Sequence, residues 1–390
     1  MGIESDAFDP LDEFFGELQS AAYESQSLEY AHRMENAPYD PGVMIIVMRY
    51  DCPYSCDHCF FSSNPSSHTI LPEQNVMEAI DFARDIGVQA VMPTGGEAML
   101  DPESVFRALS QVRDNGMGLF LQSAFLGETE EEINYNADRL QELGLNTFLT
   151  SLSMYHEDAQ PAFMTMGYIN YLLMMIDALT KRGIKVDIKN TWDAQSGKES
   201  TDFANEFANR LLGNGIDYLG ERFEDGFKVF IVNGVQVGLT DPSIISVGKA
   251  RASSLTSQKP YQWQDSLYHC PIFHEPHHDG GMVTLYPDGN VARCCAAERG
   301  ANFGFGNVFT HPWPDILENI RQSPYVRFDM DGTLQEAHEM LQNEFPQFLP
   351  SNGAGQACEI CSPVVANKRL RDRLAKRLHQ PKLFTPVSDQ

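Results

Sequence analysis

The chain lacks any apolar run approaching eighteen residues, and it lacks a basic-plus-apolar segment at its N-terminus. The first absence excludes a membrane-spanning helix, and the second argues against export, so a soluble, uncleaved cytoplasmic protein is expected. Positive charge is also scarce: 28 Lys and Arg stand against 54 Asp and Glu, a net charge of -26. Nucleic acid and anionic membranes both require a basic footprint, so neither is expected as a partner. Such a field favours a cationic substrate, although it also suits a protein that is merely soluble or salt-adapted. The few cations are unevenly placed, with seven of the 28 in the last 25 residues. Seven of the eight cysteines fall in one triad and two close pairs, with Cys270 apart, and such close spacing in a cytosolic chain points to metal rather than disulfides.

Cys52, Cys56 and Cys59 stand as C-x3-C-x2-C directly behind the apolar run 43–48, so one strand delivers all three. Three soft thiolates at this spacing can wrap one face of an iron-sulfur cluster. With three ligands for four irons, one iron stays open to a substrate or cofactor. Zinc is the alternative, and it would want a fourth ligand close by, such as His58.

Beyond an acidic, aromatic lead-in, the chain alternates short apolar strands with amphipathic helices, the pattern of a parallel sheet with helical crossovers. Strands are expected at 43–50, 89–94, 117–123, 145–151 and 184–190, with helices near 73–86, 102–115, 129–143, 166–182 and 200–213. A sixth strand belongs between 216 and 250. There, however, residues 226–238 read as an extra hairpin turning at Asn233-Gly234. After about residue 264 the texture changes to Gly, Pro, His and Cys, as in a small metal-stapled domain. The last helix, 367–378, sets Leu370, Leu374 and Leu378 on one face among cations, which suits docking against an acidic body.

The cysteine triad resembles the signature of the radical S-adenosylmethionine (SAM) superfamily. That resemblance implies a 4Fe-4S cluster whose open iron binds SAM and, once reduced, cleaves it to a 5'-deoxyadenosyl radical. It also gives His58 a role as the aromatic residue near the adenine. The second strand ends in Gly95-Gly96-Glu97, similar to the family's GGE motif, whose glycines let backbone approach SAM and whose acid contacts its amino group. Ser151, at the end of the fourth strand, falls on a serine that reaches SAM in the family, while Ser153 occupies the usual acidic place. Ser123 and Asn190 close the third and fifth strands, where SAM contacts gather. Val247–Ala252 resembles the glycine-and-basic segment that often ends the core.

Cys270, Cys294, Cys358 and Cys361 frame the C-terminal region and resemble the ligands of an auxiliary 4Fe-4S cluster in SPASM and Twitch enzymes. Cys295 is a possible substitute for Cys294, and a structural zinc on the same four cysteines is the alternative. The fold class implied is α/β: a partial (β/α)6 TIM-like barrel followed by a small Cys-rich auxiliary-cluster domain. The expected divisions are 1–42 for the helical lead-in, 43–264 for the core, 265–365 for the auxiliary domain, and 366–390 for the basic helix and tail.

The implied activity is that of a radical SAM oxidoreductase or maturase, which abstracts a substrate hydrogen and oxidises or cross-links the substrate. The implied partners are a peptide or small-molecule substrate and a reductant such as flavodoxin or ferredoxin. His156, Glu157 and Asp193, just beyond strand ends, are the acid-base candidates. Peptide maturation is one substrate class, and an amino sugar or aminocyclitol, acted on by a dehydrogenase or epimerase, is the other. A non-catalytic, metal-stabilised binding protein is the reading from another class.

Overall fold

The structure is a computed structural model. It describes residues 42–56, 59, 61–153, 167–191, 200–224, 227–240, 282–292, 305–322, 333–349, 360–361, 363–364 and 367–378. The lead-in, Val247–Ala252, His58, His156, Glu157, Asp193, Cys270, Cys294, Cys295 and Cys358 lie outside the described residues.

Ten strands form one sheet: β1 (Val43–Val47), β2 (Ala90–Thr94), β3 (Gly118–Gln122), β4 (Thr147–Ser153), β5 (Lys185–Thr191), β6 (Tyr218–Glu224), β7 (Phe227–Val232), β8 (Val235–Thr240), β9 (Met282–Leu285) and β10 (Val291–Ala292). Their order is β10-β9-β1-β2-β3-β4-β5-β8-β7-β6. From β9 through β5 to β8 every neighbouring pair is parallel. The helices between them are α1 (Glu73–Asp85), α2 (Pro102–Asp114), α3 (Glu130–Leu143), α4 (Tyr168–Thr180) and α5 (Ser200–Gly213). β1 to β5 lie in sequence order, and right-handed crossovers then place every helix on the same face. Successive helices α1 to α4 accordingly pack side by side. This is the singly wound (β/α) pattern of a partial barrel, and all five expected strands and five expected helices are present.

Local sequence sets each element. α1 buries Val76, Ala79, Ile80 and Ala83, the i, i+3, i+4, i+7 stripe of an amphipathic helix. α3 opens on a capping box between Thr129 and Glu132 and stops at Gly144, whose φ of 79° is the left-handed conformation that favours glycine. The sixth parallel strand, unplaced in the sequence, is β8, the second arm of the expected hairpin. Its turn is Asn233-Gly234, with φ of 51° and 76°, the paired positive values of a type I′ hairpin. The Asn233 side chain donates to Asp177 Oδ1 and Thr180 Oγ1, each at 2.9 Å, which ties the turn to the end of α4.

Strand alternation gives the sheet two different faces. Met44, Ile46, Val91, Leu121, Phe148, Val186, Ile188, Val237 and Leu239 point to the helices and join the main core. On the concave face, Ile45 and Val47 of β1 form a second buried cluster with Tyr50, Tyr286 and Ala292, packed by Phe61 and Met92. The β9–β10 hairpin, expected within the small C-terminal domain, supplies Tyr286 and Ala292 and pairs directly with β1. On β3 the same face carries Phe120, which is 37% exposed.

Among the described residues three further α-helices follow: α6 (Trp313–Gln322), α7 (Thr333–Glu344) and α8 (Lys368–Arg377). Trp313 stacks on Phe82 of α1. α8 buries Leu370 and Leu374. Arg373 pairs with Glu344, and Arg377 with Glu336 and Glu339 of α7, so the basic helix docks on acidic residues as its sequence suggests. Among the described residues, no helix is long and apolar enough to cross a membrane.

Candidate functional site

Beyond Val47 the chain leaves the sheet in a loop that returns at Leu71. Its two ends are held together by Leu71 N–H to Met48 O at 2.8 Å, Tyr50 N–H to Thr69 O at 2.9 Å and Cys52 N–H to Asn64 O at 3.4 Å. The cysteines therefore hang from an anchored loop at the carboxyl end of β1. None is in a disulfide; Cys52 and Cys56 are buried and Cys59 is half-buried. Burial pushes the Cys52 thiol up, and the nearby Glu97 adds to the effect. A thiolate at Cys52 therefore needs a cation beside it, which an iron centre supplies.

The Ser63 amide points at Cys59 Sγ at 3.4 Å, the kind of N–H to sulfur contact that tunes clusters. Among the described residues, no three His, Cys, Asp or Glu side chains converge as they would on a single ion. Cys59 and Cys56 lie near enough to Cys52 to raise its thiol further, and three soft thiolates on one loop are a donor set that suits an iron-sulfur cluster.

The Gly95-Gly96-Glu97 turn locks against this loop. A Cβ on Gly95 would lie 2.1 Å from Val47 Cγ1, and one on Gly96 would lie 2.2 Å from the Asp51 carbonyl oxygen. The backbone approach these glycines permit in this chain is to the start of the cysteine loop. Glu97 N–H then donates to Asp51 O at 3.0 Å. The residues missed in the sequence lie around this junction. Arg49 pairs with Asp51 at 3.2 Å. Tyr54, within the cysteine loop, donates to Ala124 O at 3.4 Å and meets Tyr168 edge-on. Tyr171 holds the 126–127 turn through the amides of Leu126 and Gly127. Their signal is an aromatic inside the triad and two tyrosines one helical turn apart.

Glu97 is 1% exposed. Its carboxyl accepts from the Met99 amide at 3.1 Å and the Ala124 amide at 2.9 Å. Burial raises its pKa from 4.5 to about 7, against the lowering effect of these donors and of Arg49. Ser123 Oγ lies between Glu97 Oε1 and the Phe125 carbonyl. A hydroxyl has one proton to give, so both contacts are satisfied together when Glu97 carries a proton of its own. An arriving ammonium group would replace that proton and restore the carboxylate.

The structure thus joins Cys52, Cys56, Cys59, Gly95, Gly96, Glu97 and Ser123 into one assembly at the carboxyl ends of β1, β2 and β3. Ser123 reaches Glu97, whereas the sequence expectation was contact with SAM. The Ser123 amide donates to Leu149 O at 3.0 Å, which continues the assembly to β4. Ser151 is half-buried two residues further on, and its carbonyl accepts from the Tyr168 hydroxyl. Asn190 lies on β5 opposite Leu152. Cys361 is half-buried and packs against the main core.

Residues 46–194 match the Radical SAM superfamily. A Bacillus subtilis (strain 168) protein named "Putative peptide biosynthesis protein YydG" is 24% identical over 250 residues, which span 63% of this chain and 66% of that protein. The match thus falls just short of two thirds of that relative. Among solved structures, Streptococcus suis SuiB bound to S-adenosylmethionine is similar at TM-score 0.45 and 14% identity, over 85% of this chain and 77% of SuiB. The anSMEcpe enzyme with bound AdoMet is similar at TM-score 0.46 and 11% identity, over 86% and 99% of the two chains. The cysteine triad and the GGE turn both lie inside the matched segment, so the chain carries a radical SAM domain over residues 46–194.

Proposed function

We propose that this chain is a radical SAM peptide maturase. Cys52, Cys56 and Cys59 would hold a 4Fe-4S cluster and Glu97 the amino group of SAM. Bound there, the cluster and SAM supply a primary radical able to remove an unactivated C–H hydrogen. The chain's own part is to position and shield. The Gly95-Gly96 turn fixes Glu97 against the cysteine loop, Ser123 and the Ala124 amide aim its carboxyl, and Tyr54 and Tyr168 exclude water. The observation that carries the reading is the joining of the triad to Glu97 through Asp51 within the segment that matches the superfamily.

A peptide substrate is supported by the printed name of the Bacillus subtilis relative. Cys270, Cys294 or Cys295, Cys358 and Cys361 would hold one auxiliary 4Fe-4S cluster to accept an electron from the substrate, giving an oxidation or cross-link. Flavodoxin or ferredoxin would serve as reductant in the cytoplasm. The test is anaerobic turnover of the reconstituted protein with SAM, reductant and the peptide encoded beside its gene. Deoxyadenosine formed in step with a peptide that loses two hydrogens is the expected result. Turnover on an aminocyclitol and on no peptide would overturn the peptide assignment.

A further inference from the structure

The concave face of the sheet carries a charged strand that the cofactor site does not use. Along β5, Lys185, Asp187 and Lys189 alternate with the buried Val186 and Ile188, so all three share the concave face. Both lysines are exposed and Asp187 is half-buried between them. At about 3.3 Å per residue the two lysine positions are ~13 Å apart. Gly238 of β8 lies opposite Asp187, and a Cβ there would come 2.6 Å from Asp187 Oδ1. The glycine leaves Asp187 its room. On the other side, Lys189 is in register with Ser151, and Lys185 with Thr147, itself opposite Phe120.

Three features make this more than a solvated strand. First, the chain carries -26 net charge, yet this wall holds two cations and one anion. Second, neither lysine forms an ion pair with another described residue, whereas Lys181 and Lys228 are each paired with an acid. Third, among the described residues the same face is sealed by Tyr50, Tyr286 and Phe61 at β1, whereas Phe120 of β3 and both lysines of β5 are exposed. Burial raises the Asp187 carboxyl, while Lys189 and then Lys185 pull it back down.

We propose that Lys189, supported by Lys185, holds an acidic side chain of the peptide substrate on the concave face of β5. The enzyme thereby selects peptides with Asp or Glu near the residue it modifies. Asp187 spaces the two ammonium groups so that an incoming carboxylate meets one at a time. The inference rests on the peptide reading of the same site and specifies it further.

The test uses the reconstituted full-length protein with SAM and three fluorescein-labelled synthetic peptide pools, identical except for Glu, Gln or Lys at a central position. Binding is read by anisotropy at low and high salt. The Glu pool should bind about five-fold or more tightly than the Gln pool, and less so in high salt. Lys189→Gln should erase that preference, Lys185→Gln should reduce it, and Lys189→Glu should turn it toward the Lys pool. Melting temperature and iron content establish that each variant is folded. The Glu-to-Gln comparison on unmodified protein needs no variant at all. Equal binding of the Glu and Gln pools overturns the acidic preference and leaves the peptide reading standing. If no pool binds, both fall, and a Glu preference that survives in the Lys185→Gln/Lys189→Gln double variant overturns the assignment to β5.

Discussion

The two halves of the concave face are built on opposite principles. At β9, β1 and β2 the face is closed: Ile45 is 2% exposed, Val47 is fully buried, and tyrosines from the cysteine loop and the β9–β10 hairpin lie over them. From β3 to β5, among the described residues, polar or charged side chains join the apolar ones: Gln122, Ser151 and Asp187 are half-buried and Lys189 is exposed. The closed half positions a cofactor that must sit in one place. On the proposed reading, the other half is where the peptide substrate comes and goes.

Glycine substitutions test the closed half most severely. Gly96→Ala sets a Cβ against the Asp51 and Arg49 carbonyls at a φ of 46°, whereas Gly87→Ala, at a φ of 80°, meets nothing within 4 Å. The first should cost about 4 kcal/mol or more and lose bound iron, and the second about 1 kcal/mol, as read by denaturant unfolding and iron content. Equal losses would mean that conformation alone, and not the interlock, explains the pair of glycines.

Truncations compare the halves directly. Ile45→Ala should cost about 3 kcal/mol because its neighbours are fixed on all sides. Phe120→Ala removes a larger side chain that is already 37% exposed, and should cost about 1 kcal/mol. A reversed order would show the open half to be covered.

Much of this architecture is legible in the sequence. Every strand from β1 to β5 and every helix from α1 to α5 follows from apolar periodicity, and Asn233-Gly234 announces its turn. β8 was unplaced because an antiparallel hairpin and the last barrel strand are one segment. Periodicity reports burial, and gives no information on which neighbour a strand pairs with. The pairing of β9 with β1 was hidden for the same reason, since four residues far along the chain carry no mark of their partner. At the site, the triad and GGE are local patterns and could be read. The contact of Ser123 with Glu97 spans 26 residues and appears only when β2 and β3 lie side by side.

The pH dependence of stability isolates Glu97. Its pKa rises from 4.5 to about 7 in the fold, so the folded state keeps a proton that the unfolded state has released. Its stabilising contribution is therefore complete below pH 4.5 and is lost as pH rises to about 7. The full difference is about 3 kcal/mol. Glu97→Gln should flatten that slope in melts between pH 5 and pH 8, and saturating SAM should also flatten it in the parent protein by supplying an ammonium partner. The smallest effect is expected far from both halves. Arg377→Ala breaks half-exposed pairs with Glu336 and Glu339 and should cost about 1 kcal/mol in the same assay.

The most direct measurement of the closed half as a cofactor cradle is iron content and SAM cleavage in the anaerobically reconstituted protein, before and after Cys52, Cys56 and Cys59 are changed to Ala. Loss of about four irons together with all deoxyadenosine formation is the expected result. Unchanged iron content in the triple variant, or no deoxyadenosine from the parent protein with any reductant, would contradict it.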